Sequence, residues 1–101
     1  SDSGLHGELA LLRAGLAHLD GDAPRAIAHL RHADAAFLHA SMSTARAVTQ
    51  LRLGDLLGGS PGALAAASAR QQLRREGILD PGRWADALAP ALPRPHHLHA
   101  A

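Results

Sequence analysis

Leucines near the start of the chain fall at Leu5, Leu9, Leu12, Leu16 and Leu19, in steps of four, three, four and three. That spacing follows one side of a 3.6-residue period and predicts a helix over about 5–19 with one apolar stripe. Ser3 is placed to cap its start. Asp20-Gly21 is placed to end it, since glycine takes the left-handed backbone that closes a helix. A second helix is predicted over about 23–39, with Asp22 as cap and Pro24 in the first turn, where a missing N–H costs nothing. Ala26, Leu30, Ala33 and Phe37 form its inward stripe, with Ile27 beside them. A third helix, about 42–57, is capped by Ser41 or Ser43. It carries Met42, Ala45, Val48, Leu51, Leu53, Leu56 and Leu57 over a wide arc, the pattern of a helix packed on two sides.

Gly58-Gly59 stops the third helix, and Ser60-Pro61 opens a fourth over about 61–76, burying Leu64, Ala66, Ala69 and Leu73. Gly77 followed by Ile78 reads as a Schellman ending in which Ile78 folds back onto Leu73. A short fifth helix, about 81–89, starts at Asp80-Pro81 and turns Trp84, Ala85 and Leu88 inward, with Trp84 as a core anchor. Pro90, Pro93 and Pro95 then end regular structure. Residues 91–101, rich in Pro and His, are expected to be a disordered tail after a helical domain over 1–90.

Composition agrees with an all-α fold. Ala and Leu supply 23 and 18 of the 101 positions, and β-branched residues are few. Cysteine is absent, which excludes disulfides, cysteine–zinc sites and thiol nucleophiles. No apolar run approaches the roughly 20 residues of a membrane span. The first seven residues lack a signal-peptide pattern, so a cytoplasmic setting is expected, with no membrane partner. The chain opens on Ser1 and not on Met, the pattern expected of a piece of a longer protein. The pI of 9.1 arises because all ten basic residues are Arg and no Lys, Tyr or Cys titrates at high pH. The formal charge is only +1, too small an excess for a nucleic-acid footprint.

A faint internal repeat accompanies this pattern. Leu19-Asp20-Gly21-Asp22 with Pro24 mirrors Leu57-Gly58-Gly59-Ser60 with Pro61, and Gly21 to Gly59 is an offset of 38 residues. Helical repeats of about this length belong to the tetratricopeptide-like solenoids, although their Trp, Tyr and terminal Pro signatures are missing. The expected architecture is two antiparallel helical hairpins in series, turning at Gly21 and Gly59, with the fifth helix as a terminal cap.

The stretch Leu53-Gly54-Asp55-Leu56-Leu57-Gly58-Gly59-Ser60-Pro61-Gly62 has the form L-G-x-L-L-G-G-x-x-G. It is followed by Glu76-Gly77-Ile78-Leu79-Asp80-Pro81-Gly82-Arg83-Trp84-Ala85 and Leu88-Ala89-Pro90. Together these segments resemble the C-terminal tetratricopeptide-like segment of large bacterial serine/threonine protein kinases. The resemblance covers about residues 5–90 and implies a regulatory or scaffolding segment. No glycine-rich phosphate loop and no catalytic-loop or metal-binding kinase motif is present, and Lys is absent, so phosphoryl transfer is not expected here.

Few residues invite chemistry. His29 and His32 lie three apart on the second helix, with His39 seven further on, a spacing at which imidazoles could share a metal. Without Cys or a His-Glu-x-x-His pattern, a solvated polar face explains them better, and no cofactor is implied. His96, His97 and His99 could bind metal adventitiously. Arg70, Arg74, Arg75 and Arg83 form a candidate patch for an anionic partner, though the helix dipole already favours cations at Arg74 and Arg75. A helix-turn-helix reading fails on its recognition helix, which starts Pro61-Gly62-Ala63-Leu64 and offers nothing to read a base edge. Ser41, Ser43 and Thr44 are candidate phosphoacceptors, for which helix capping is the simpler role. Asp20, Asp22, Asp34 and Asp55 form no carboxylate pair. The expectation is a non-catalytic module that binds a protein or peptide. The alternatives are self-association, or a DNA- or metal-responsive helical regulator.

Overall fold

A computed structural model describes residues 2–92, and the histidines at 96, 97 and 99 lie outside the described residues. Five helices follow one another: α1 (Asp2–Leu19), α2 (Ala23–His39), α3 (Ser43–Leu57), α4 (Gly59–Arg75) and α5 (Pro81–Leu88). The fold is all-α, with no strand among the described residues.

The helix ends show which local signals act. Asp22 accepts a hydrogen bond from the Arg25 amide at 3.1 Å, and Asp80 accepts from the Arg83 amide at 3.1 Å, each ahead of a first-turn proline. Each satisfies one of the amide donors a helix start leaves unpaired. α1 starts at Asp2, so Ser3 lies inside its first turn. At α3 the cap position is Met42, with no side-chain bond, so neither Ser41 nor Ser43 caps it. Ser41 instead closes α2 with a positive φ of 57°. There the Met42 amide donates to the Phe37 carbonyl at 2.9 Å and the Ser41 amide to Leu38 at 3.1 Å. Gly77 closes α4 by the same Schellman pattern, with the Ile78 amide donating to the Leu73 carbonyl at 3.0 Å. α4 begins at Gly59, ahead of Pro61.

α1 packs on α2, α2 on α3 and α3 on α4, while α5 lies mainly against α3. Leu11, Leu30, Phe37, Val48, Leu51 and Leu73 form the core with alanines from every helix, and Leu92 joins them from beyond the predicted domain end. Ala26, Leu30, Ala33 and Phe37 are buried as their period predicts.

Two contacts between helices need glycine. A Cβ on Gly7 would lie 2.5 Å from the Phe37 ring, so α1 and α2 approach with that ring lying over bare backbone. A Cβ on Gly54 would lie 2.6 Å from the Gly62 carbonyl oxygen, and one on Gly62 would lie 2.5 Å from the Gly54 carbonyl oxygen. The second and last residues of the Leu53–Gly62 motif are thus the point where the α3 and α4 backbones touch.

The predicted stripe on α1 is corrected here. Its buried side is Gly4, Gly7, Ala10, Leu11, Ala14, Gly15 and Ala17, whereas Leu5, Leu9, Leu12, Leu16 and Leu19 are 41–69% exposed. Three glycines on that side sit at close approaches, Gly7 against the Phe37 ring of α2, Gly4 against the Met42 side chain and Gly15 against the Pro90 carbonyl. Leu64 on α4 is also outward at 72% exposed, leaving Ala66, Ala69 and Leu73 inside. On α5, Ala85 is buried, while Trp84 and Leu88 are nearly half exposed, so Trp84 is not a core anchor.

What holds α5 is an ion cluster. Arg52 is 1% exposed on α3. It donates to Asp55 at 2.9 Å, to the Gly82 carbonyl at 3.0 Å and to Asp86 at 2.6 Å, leaving its Nε without a partner. Arg70 of α4 reaches the other oxygen of Asp55 at 3.5 Å. Arg52 joins α3 to α5 with its planar fork, which suits several oxygens at once, and Arg70 ties in α4 through the shared Asp55 carboxylate.

Two stability predictions follow from this packing. Gly54→Ala sets a methyl against backbone that cannot move aside and should destabilise by about 1–3 kcal/mol. Arg52→Ala removes the closest cation from the buried Asp55 carboxylate and should destabilise by about 3 kcal/mol. Urea unfolding followed by circular dichroism measures both, and an unchanged midpoint for either would contradict the packing described.

Candidate functional site

The outward face of α1 is the most distinctive surface of the molecule. A helix normally turns its large apolar side to the core and its polar side to water. On α1 the five leucines lie roughly opposite the small-residue face that meets α2, so they point squarely away from the rest of the chain. Every leucine of α1 except Leu11 belongs to this exposed row. Glu8 and Arg13, both exposed, flank it on its two sides. Scattered exposed leucines are ordinary on protein surfaces, whereas a contiguous apolar row with charged edges is a distinct feature of this one.

Beside the C-terminal end of this row a cleft of about 430 Å³ opens between α1 and α2, lined by Leu16, Arg13, Asp20, Asp22, Arg25 and His29. Its two arginines and two aspartates nearly balance, and Asp22 already caps α2. No nucleophile or acid–base pair stands out in it.

The histidines are not drawn together. His29 lines the cleft, His32 and His39 are exposed on α2, and no cluster of three or more potential ligands occurs among the described residues. The four arginines divide. Arg70 is turned toward the Asp55 carboxylate, while Arg74, Arg75 and Arg83 are exposed, the first two in the last turn of α4. Thr44 has a structural partner: its hydroxyl donates to the Glu76 carboxylate, which also accepts from Gln72 at 3.1 Å. Those two bonds, the Thr44 one first, hold the Glu76 carboxyl below its ordinary range.

Two features escaped the sequence reading. Arg52 went unnoticed, although Arg52 and Asp55 at i,i+3 within a leucine-rich helix already form a recognisable pair. The α1 leucines lie on the side opposite the one their period predicts. The available signal was the row of Gly4, Gly7 and Ala14 opposite them, since glycine costs a helix about 1 kcal/mol and needs a packing reason to be there.

The Thr44–Glu76 link carries a pH dependence. A carboxyl lowered in the folded state stabilises above its unfolded pKa, and that contribution disappears as pH falls through the folded value. Stability should therefore decline as pH drops below the ordinary glutamate range, and Thr44→Val should flatten that part of the curve. Chemical unfolding at stepped pH reads this, and equal slopes in both proteins would refute it. No family model matches this chain, and neither a curated protein nor a solved structure matches it.

Proposed function

We propose that this chain is a non-catalytic protein–protein interaction module. In this reading its helices form two antiparallel hairpins of tetratricopeptide-like type with a short terminal cap. The module acts in the cytoplasm as the C-terminal part of a bacterial multidomain serine/threonine kinase or a related signalling protein. The resemblance over residues 53–90 supports that placement, and the succession of α1 on α2 on α3 on α4 is compatible with helices added in series.

The observation that carries the reading is the exposed leucine row on α1. Its work is to be covered. An incoming amphipathic helix would bury Leu5, Leu9, Leu12, Leu16 and Leu19 in its own apolar side, the helix-against-groove mode of recognition. Affinity comes from the apolar area, while Glu8 and Arg13 at the edges set direction and register. The exposed Arg74, Arg75 and Arg83 contribute rim charge toward acidic segments of the same partner.

A selection from a displayed library of amphipathic helices tests this. Binders with leucines at alternating three- and four-residue steps are expected, and binding should fall at least tenfold with Leu12→Glu. Because Leu12 is 53% exposed, that substitution leaves the core intact. Recovery of no binder, or of binders indifferent to Leu12, would remove the reading.

A further inference from the structure

We infer that the occupant of the α1 leucine row is the same row of a second copy, the two α1 helices lying parallel about a two-fold axis. This rests on the reading above that the face exists to be covered, and it names what covers it.

The spacing is the first argument. Leu5, Leu9, Leu12, Leu16 and Leu19 alternate between steps of four and three, which assigns Leu9 and Leu16 to a positions of a heptad and Leu5, Leu12 and Leu19 to d positions. A row of a and d leucines on an exposed face is self-complementary, because each knob finds a hole formed by the same residues on the other helix. A two-fold pair also closes on itself and leaves no unsatisfied copy of the face.

Charge supplies the second argument and fixes the direction. In this register Glu8 is a g position and Arg13 is an e position, both exposed. In a parallel pair, g of one helix meets the e residue five positions further along the other, so Glu8 of each copy meets Arg13 of the second. Both pairs are attractive and occur twice. An antiparallel pair centred on Leu12 would instead bring Arg13 close to Arg13 of the second copy, a repulsive contact.

Geometry permits the pair. α1 packs chiefly on α2, through the side opposite the leucines, so the rest of each subunit lies behind the contact. The helix is already formed by its packing on α2, so pairing does not bear the cost of ordering it. The face is small. The five leucines expose about as much surface as three whole leucines per copy, at the low end of what a specific interface buries. The pair is therefore expected to be reversible, with a dissociation constant on the order of micromolar.

Sedimentation equilibrium on the chain across roughly micromolar to millimolar concentrations should show a monomer–dimer equilibrium. Leu12→Glu should weaken it at least tenfold while the monomer keeps its helical circular dichroism. Glu8→Arg should weaken it several-fold, and adding Arg13→Glu to that variant should restore it. Because the natural chain has no cysteine, direction is read separately. Leu5→Cys should oxidise to a disulfide dimer with itself in the parallel pair, whereas preferential bonding of Leu5→Cys to Leu19→Cys would mean an antiparallel one. A strict monomer, a trimer, an antiparallel cross-link or indifference to Leu12→Glu would each overturn the inference. A strict monomer that still binds selected leucine-row helices would leave the broader interaction reading standing. A strict monomer that binds none would remove both.

Discussion

Close approach between helices through small residues is the constraint on which this molecule depends. Gly7 lies beneath the Phe37 ring, and Gly54 meets Gly62 backbone to backbone. Each glycine in a helix interior costs roughly 1 kcal/mol relative to alanine. α1 carries Gly4, Gly7 and Gly15 on its buried side, so its propensity is reduced by about 3 kcal/mol before packing begins. The compensation is contact density: interiors pack like crystals, and a ring against bare backbone gains dispersion that a bulkier neighbour would forbid. Once the small face is committed to α2, the geometry of a single helix leaves the leucines nowhere to go but out. The core thus sets which way these positions face, though not that leucines occupy them.

A different solution operates at the other end of the chain. α5 is short and turns Trp84 and Leu88 only partly inward, so apolar burial alone holds it weakly. Arg52 binds it by donating to Gly82 and Asp86 while also bonding Asp55. Desolvating a guanidinium is expensive, and a buried ion pair is not generally a net gain in stability over an apolar replacement. Its value lies in geometry. The carboxylate of Asp86, the Gly82 carbonyl and the Asp55 carboxylate must all be in place for the charge to be satisfied, which fixes α5 against α3 in one position. The partly exposed Asp86 carboxylate, 43% accessible against 2% for Asp55, lets the arrangement form without burying every charge in it.

The positions of the helices were legible in the sequence because their signals are local. Asp22 with Pro24 and Asp80 with Pro81 act within one turn, and Gly77 closes α4 through bonds spanning only a few residues. The end of α2 at His39 is also where the pattern puts it, although Ser41, expected to cap α3, instead closes α2 in a left-handed backbone without the usual glycine. Facing direction was less legible. Periodicity locates an apolar row but does not say whether that row or a row of small residues opposite it meets the neighbour. On α2 the small and large residues share one side, so Ala26, Leu30, Ala33 and Phe37 were read correctly. On α1 they occupy opposite sides, and the larger residues were wrongly preferred. The exposed leucine row was thus legible as residues but not as a surface. The Arg52 cluster depends on contacts some thirty residues apart in sequence, which no local pattern encodes.

A helix that is apolar on both sides belongs, by composition, between two layers. α1 meets that description, with a glycine–alanine side against α2 and a leucine side against nothing in the described chain. If folding stability alone had shaped this helix, polar residues at the outer positions would serve as well, since an exposed leucine gains little from the fold and raises the risk of aggregation. The outer residues are instead leucines at regular steps, with opposite charges on the two margins. Burying a leucine fully is worth roughly 1.5–3 kcal/mol, and that free energy is realised only when another surface arrives. The fold therefore draws on only one side of this helix. The small side fixes where α1 sits, and under the proposed reading any partner that covers the large side of the folded chain alone would add stability as the logarithm of its concentration.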